Sequence, residues 1–576
     1  AADHATVVGV MDANVWDAWR ELPVLHDGRV MPLDTFSRRL VRRWTGDERI
    51  VDASSGRSID PVEYAVRLIL DWQGWDHPDN RQLLIVKDWR GHYSHLHPGD
   101  SWDAQPLWRI ETESLRSLVG LAPTDASAVS ARQLSETQVI EADAERPLPL
   151  TSWAQKLAER GNAGETLAPL EQQTLALVDR NSEFRNHRMG RTLVCMRADR
   201  DGDGSTEWLS LADAVLPTLD DTSDPGGELR TIQSLWSEVR GAYRAGERQR
   251  FEAASAALVA ELKSRYEAQS RAASGGGTEP TAAALSWEVR YNRWSLVNWT
   301  RLLLLVTSLA GLAGIVTGRR RGALDDSVSD GSSDDSSGSH CVRLARITAW
   351  IGGALALITA GTAIAMRLGL AGLPPATDLS ETLFYVGVGT LTSGLFVERI
   401  DRRRVVLMST SAAAFVLITL AVADGLPLPS TGSSQQLVAG STSSIYAAGR
   451  AWTTAWQLAS WTSYSALTLA AAIACASLIS TGLTRWKADR NDGRAQSHSQ
   501  LQQHSQLIYR ALQTGAAFLA AALLCGAIGS AELSGRLWDW SPREITSVLT
   551  LLAYLGLIRL SDARLLGPRT LPLATA

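Results

Sequence analysis

Followed as apolar and polar stretches, the chain changes character near residue 290. Before that point apolar positions recur singly among charged residues. After it, long uncharged runs alternate with short polar gaps. The runs are Leu302 to Thr317, Ile347 to Met366, Thr382 to Val397, Val405 to Ala423, Ala455 to Leu483, Ala511 to Ala531 and Ile545 to Ile558. Most reach the roughly 17 to 25 residues that carry a helix across a bilayer, and the shorter ones extend by snorkelling of their flanks. About seven spans are expected. Stretches such as "IGGALALITAGTAIA" and "SALTLAAAIACAS" are built from small residues, which allow close helix contact where lipid supplies no hydrophobic drive.

The gaps between runs set the orientation, because Lys and Arg near span ends are retained on the cytoplasmic side. Arg319, Arg320, Arg321, Arg343 and Arg346 flank the first gap, Arg399, Arg402, Arg403 and Arg404 fill the third, and Arg485, Lys487, Arg490, Arg494 and Arg510 fill the fifth. Arg559, Arg564 and Arg569 follow the last run, whereas 369–380, 424–454 and 532–544 are poor in both residues. Every second gap is basic. The amino-terminal part, the stretch after Asp424 and the segment around Trp538 are therefore expected outside. The stretch 322–342 is acidic and rich in Ser and Gly, and reads as a flexible cytoplasmic loop.

Residues 1–288 carry a different pattern. Leu235, Trp236, Val239 and Tyr243, then Phe251, Ala254, Leu258 and Leu262, recur at helical spacing. "RNHRMGRTLVCMRADRDGDGSTEWLSL" reads as a strand, a Gly/Asp turn and a second element. The expected fold class is mainly α: an α+β extracytoplasmic domain over 1–288, joined through "SGGGTEPTAA" to a polytopic helical membrane domain over 289–576.

Composition alone conceals this division, since 45% of the 576 residues are hydrophobic and the mean hydropathy is near zero. Lys and Arg number 56 against 61 Asp and Glu, a net charge of -5, so no global basic field points to nucleic acid. Cys195, Cys341, Cys475 and Cys525 stand singly and lack disulfide, metal or covalent-haem spacing. The chain begins at Ala1 without Met and "ATVVGV" is too short for a signal core, so an export signal or first anchor is expected to have been removed or left out. Asp199, Asp201, Asp203, Gly204, Ser205 and Glu207 imitate the start of a calcium loop, but Ser210 stands where a bidentate Glu is needed, and a hairpin turn is the better reading. His92, His95 and His97 lack a nearby acidic or thiol partner and read as surface histidines. Neither a metal site nor a catalytic residue is singled out, and hydrolase and kinase motifs are absent. Transport is disfavoured because no charge is expected inside the spans.

The segment that carries chemistry is "SGRLWDWSPREITSVLTLLAYLGLIRL", where Trp538, Trp540, Pro542, Arg543 and Glu544 meet an apolar run. It resembles the signature "WGxxWxWDPKExWxLxTxLxYxxYLH" of the cytochrome c assembly family, the CcsA/ResC-like, tryptophan-rich WWD haem-handling proteins. "PPATDLSETLFYVGVGTLTSGLFVER" looks like that family's "P-x-T-N-x-Y-E" segment at Pro375, Thr377 and Glu381, with Asp378 in place of Asn and Ser380 in place of Tyr. "QLIYRALQTGAAFLAAALLCGAIGSAE" is similar to the helix leading into the tryptophan motif, and "LPVLHDGRVMPLDTFSRR", Leu22 to Arg39, resembles a segment preceding the membrane part in extended members.

The resemblance implies a cytochrome c biogenesis factor of the bacterial-type inner (cytoplasmic) membrane, multi-pass, with its amino-terminal domain outside. Its cofactor would be haem, and its partners membrane lipid, apocytochrome c and a ResB-like protein. Trp538 and Trp540 would wall the macrocycle and Arg543 would pair with a propionate; Pro542 and Glu544 suit a helix start. Pro375, Thr377, Asp378 and Glu381 complete the implied cofactor-binding set. The departures are specific: Ser541 replaces the motif's Asp, and Trp456 and Arg559 stand where the family offers histidines. All ten histidines lie outside the expected spans. Met366 or a partner's histidine is left as a substitute ligand. Two readings stay open: haem presentation at the outer face, and a degenerate member acting as a non-haem membrane scaffold or assembly subunit. Residue chemistry alone also allows plain interfacial tryptophans and ordinary helix capping.

Overall fold

The structure is a computed structural model that describes residues 13–46, 50–51, 58–72, 75, 102–104, 106–110, 112–121, 128–139, 147–198, 207–215, 228–272, 280–325, 336–371, 379–401, 404–423, 444–487, 494–538, 540, 542–563, 565–566 and 570–575. Asp199, Asp201, Asp203, Gly204, Ser205, His92, His95 and His97 fall outside these residues. The chain divides into two compact units, Ala1–Asn292 and Arg293–Ala576.

The first unit is an α+β structure. "HDGR" makes a two-residue turn with Asp27 and Gly28 at φ 50° and 74°, conformations that match the twist of a hairpin. The turn joins β1 (Pro23–His26) to β2 (Arg29–Pro32), with Leu25 opposite Val30. β3 (Val194–Ala198) pairs with β1, and β4 (Glu207–Ser210) pairs with β3, giving the antiparallel order β4-β3-β1-β2. The strand, turn and second element expected around Asp199 are thus two paired strands.

Helix α1 (Leu33–Thr45) follows β2 and stops at Gly46, whose φ of 81° lets its N–H reach the Arg42 carbonyl. Asp60 caps α2 (Pro61–Leu70) by accepting from Val62 N at 2.9 Å, and Pro61 fits the first position because its missing N–H is not needed there. α3 (Pro169–Arg188), α4 (Glu228–Ala245) and α5 (Arg248–Ala272) pack on this frame. Trp16, Trp19, Trp44, Trp108, Phe36, Phe184 and Phe251 form its core, together with the buried stripes expected on α4 and α5.

α6 (Ala282–Trp294) closes the unit. Asp34 on α1 is a buried hub beside it. Its carboxylate accepts from Arg20 at 2.7 Å, Arg38 at 2.9 Å and Asn292 of α6 at 2.9 Å. So dense a satisfaction is what a buried charge requires.

The second unit is helical: α7 (Leu296–Asp325), α8 (Ser336–Ala371), α9 (Leu379–Asp401), α10 (Arg404–Ala423), α11 (Ser444–Lys487), α12 (Arg494–Ser534), α13 (Pro542–Asp562) and the short α14 (Thr570–Thr575). Each of the seven uncharged runs is a helix. Among the described residues six stretches are long and apolar enough to cross a membrane: Ala282–Thr317, Arg343–Arg367, Val406–Ala423, Thr454–Ile479, Gln502–Glu532 and Glu544–Asp562. The expectation of about seven counted α9 as well. In α9, Glu381, Glu398 and five threonine or serine positions dilute the apolar face, and the helix is instead buried against α10 and α11. The acidic stretch 322–342 is also less open than expected, since α7 runs to Asp325 and α8 starts at Ser336; only 326–335 lie outside the described residues.

Small residues set the packing. A methyl at Gly515 would stand 2.6 Å from Leu467 Cδ2, so any larger residue there would force Leu467 to shift at this approach of α12 to α11. Hydroxyls cross between helices as well: Ser463 donates to the Gly515 carbonyl at 2.7 Å, Ser465 to the Val386 carbonyl at 3.2 Å, and Ser308 to Ser411 at 2.9 Å.

Candidate functional site

Successive helices of the second unit run in alternating directions, so the end of α8, the starts of α9 and α11, the end of α12 and the start of α13 share one end of the bundle. Glu381, in the first turn of α9, accepts from Arg367 near the end of α8 at 2.5 Å. Their side chains are 1% and 3% exposed. One turn on, Tyr385 stacks on Trp461 of α11, with centroids 4.1 Å apart and planes 13° from parallel. Further toward the same end, Trp456 lies over Gly526 of α12, and Trp452 donates its indole N–H to Glu532 at 3.1 Å. An aromatic column therefore lines α11 between α9 and α12. Trp456, the position where the family offers a histidine, is one of its members.

The tryptophan segment closes this end. Gly535, at φ 71°, ends α12 with its N–H on the Ala531 carbonyl, and α13 begins at Pro542 with Glu544 in its first turn. Between them Trp538 and Trp540 meet edge to face, centroids 6.1 Å apart at 76°. Trp538 is half-buried, and its buried indole N–H finds no acceptor among the described residues. Trp540 is 73% exposed and holds φ 54°, a left-handed backbone that a bulky side chain rarely adopts. Arg543 is the second residue of α13. Pro375, Thr377 and Asp378 lie outside the described residues.

Two expectations are overturned. Charge is present within the bundle, as the buried side chains of Arg367, Glu381 and Glu398 show. Arg367 escaped notice because it stands one residue beyond the run ending at Met366; a lone cation closing one run, with a lone acid opening the next, was the available signal. Likewise His504 lies within the membrane-competent stretch Gln502–Glu532. It is buried with Nδ1 3.0 Å from Ser477 Oγ, at the bundle end opposite the tryptophans. Polar residues before Arg510 had suggested a gap, but α12 runs through them.

A haem presents an apolar face, two propionates and an iron that takes nitrogen or sulfur ligands. Exposed Trp540 beside Trp538 fits the face. The iron is not matched: this end offers no imidazole among the described residues, Met366 and Cys525 are its half-buried sulfur groups, and Arg559 stands in the last turn of α13. No cluster of three or more His, Cys, Asp or Glu side chains that could hold a metal occurs among the described residues. A shallow cleft lined by Gly311, Gly314, Arg346, Trp350, Glu398 and Met408 opens at the opposite end, away from this chemistry.

Residues 376–575 match the family described as Cytochrome C assembly protein. The matched stretch starts beside Thr377 and contains Glu381, Trp456, Trp538 and Trp540. No curated protein matches the chain.

Proposed function

We propose that this chain, whose residues 376–575 match the family described as Cytochrome C assembly protein and whose helices are long and apolar enough to cross a membrane, serves cytochrome c biogenesis and presents haem at the outer face of the membrane. Trp538 and Trp540 would hold the macrocycle, and Arg543 would pair with a propionate. The observation that carries this reading is Trp540: a bulky apolar ring, 73% exposed, kept in a left-handed backbone conformation. Backbone strain of this kind persists where function requires a residue to be displayed. When bound, haem would supply the group that becomes attached to apocytochrome c. The outward direction rests on the alternation of basic gaps, and apocytochrome c and a ResB-like protein are the partners proposed.

A hold by aromatic contact is worth only about 0.5–1.5 kcal/mol per ring pair beyond area burial. Such a grip suits delivery rather than storage. Maturation of a reporter cytochrome c in cells lacking the native gene tests the reading. Trp538→Ala with Trp540→Ala should abolish covalent haem on the reporter while the protein accumulates normally in membranes; undiminished reporter haem would refute it.

The second reading, a scaffold without haem, is favoured by one observation: no imidazole stands at this end among the described residues. Under it the double substitution leaves reporter haem intact, and disruption of the bundle removes it.

A further inference from the structure

The apolar stretch that contains the first membrane helix is too long to cross a bilayer as one piece. The apolar stretch Ala282–Thr317 has 36 residues, about 54 Å of helix, against a hydrocarbon core of about 30 Å. α7 alone supplies the crossing. Ser295, at φ 47°, stands between α6 and α7 and breaks the helix there. The 13 residues of α6 are therefore surplus to the span.

Their side chains sort into two faces. Leu285, Glu288, Val289 and Asn292 are buried. Ala283, Trp287, Arg290 and Trp294 follow one another at steps of four, three and four residues, a single exposed stripe. Among the described residues of the first unit, Trp287 is the one large apolar side chain standing exposed, at 46%. The Arg290 guanidinium lies 5.1 Å from its ring. An indole with a cation above it, repeated by Trp294 one heptad on, matches the headgroup layer, where amphipathic rings sit and phosphates carry negative charge.

The buried face is held by the segment Leu22–Arg39, for which the presentation of haem provides no role. Arg29, opposite His26 in the β1–β2 hairpin, donates to Glu288 at 2.7 Å. Asn292 donates to Asp34 and to Thr35, each at 2.9 Å. Glu288 also accepts from Thr35. Two consecutive turns of α6 are thus gripped by residues of one short hairpin-helix motif.

We propose that α6 is an interfacial helix whose Trp287, Arg290 and Trp294 stripe docks on the phospholipid headgroup layer, and that the Leu22–Arg39 motif is the clamp that holds it in that plane. Hydrophobic and ionic contributions act together here: the indoles partition into the interface, and Arg290 and Arg293 meet phosphate. The inference stands apart from haem, because it uses neither the tryptophan segment nor the bundle interior.

Spin labels test it in the full chain, reconstituted in bilayers of phosphatidylcholine and phosphatidylglycerol, with Cys195, Cys341, Cys475 and Cys525 replaced by alanine. A label at position 287 should collide with oxygen several-fold more, relative to a water-soluble nickel chelate, than a label at exposed position 271 on α5. Equal ratios at the two positions would overturn the docking. Arg29→Gln, or Thr35→Val as the milder lesion, should mobilise the label at 287 and move its ratio toward that of 271, with the helical circular dichroism unchanged. If neither variant alters the label, the clamp is wrong although the interface position stands.

Discussion

Arg367 and Glu381 form an ion pair at 2.5 Å inside the membrane unit, joining the end of α8 to the start of α9. Glu381 belongs to the family-like segment that begins at Pro375, so the pair ties that segment to the bundle. A buried pair is costly to halve, because the survivor remains as an uncompensated charge. Arg367→Ala should lower stability by roughly 3–5 kcal/mol, and the double change Arg367→Leu with Glu381→Leu should recover most of it. Thermal unfolding in detergent reads both; a single substitution costing no more than the double one would contradict the pairing.

Trp540 separates display from packing. A buried tryptophan cut to alanine loses roughly 3–5 kcal/mol. Because Trp540 is largely exposed and strained, Trp540→Asn should change stability by no more than about 1 kcal/mol, in the stabilising direction, since asparagine tolerates the left-handed region. The same variant should lose haem-dependent activity. A melting temperature lowered as far as a core deletion would lower it would make Trp540 a packing residue.

Much of this architecture is legible in the chain, for identifiable reasons. Uncharged runs have no stable alternative to helix in a bilayer, so Ile347 to Met366 or Val405 to Ala423 declare themselves. "TLVCMRA" and "TEWLSL" flank a polar turn and pair as β3 and β4. Pairwise facts are hidden. Nothing local joins Arg367 to Glu381, or Arg29 to Glu288 across 259 positions. Charge at the rim of a run reads as loop, which is why α12 was expected to start late and His504 to stand outside it. The left-handed turn at Trp540 has no glycine or asparagine to announce it. Trp538, Trp540 and Glu381 were found through resemblance, and the structure brings the two tryptophans together while placing Glu381 on Arg367.

Acid should weaken the first unit through His187. The ring is fully buried between Phe36 and Trp44, bonded to the Ala65 carbonyl at 2.9 Å and to Thr192 at 2.8 Å, and burial pushes its pKa down to about 4. Between that value and the ordinary 6.5 the unfolded chain binds the proton and the folded one does not, so stability falls as pH drops through this window, by up to about 3 kcal/mol. Glu288, whose buried carboxyl is raised, acts in the opposite sense. The difference between the wild-type and His187→Gln stability profiles isolates the histidine; parallel profiles from pH 4 to 6.5 would contradict its neutral burial.

Asp34 should be the most sensitive carboxylate of the first unit. Removing it leaves Arg20 with Asp17 and Asp60, but takes the 2.9 Å partner from Arg38 and frees α6 at Asn292. Asp34→Ala should cost about 3 kcal/mol or more, and Asp34→Asn, which keeps hydrogen-bonding capacity without charge, somewhat less. Equal and small losses would mean that the hub is dispensable.

Haem binding itself decides between presentation and scaffold. The purified full-length protein, titrated with haem in detergent and in bilayers, should give a haem-type absorption band that saturates and that weakens when Trp538 and Trp540 are both alanine. Absence of any bound haem, as purified and after reconstitution, would contradict presentation and leave the scaffold reading in its place.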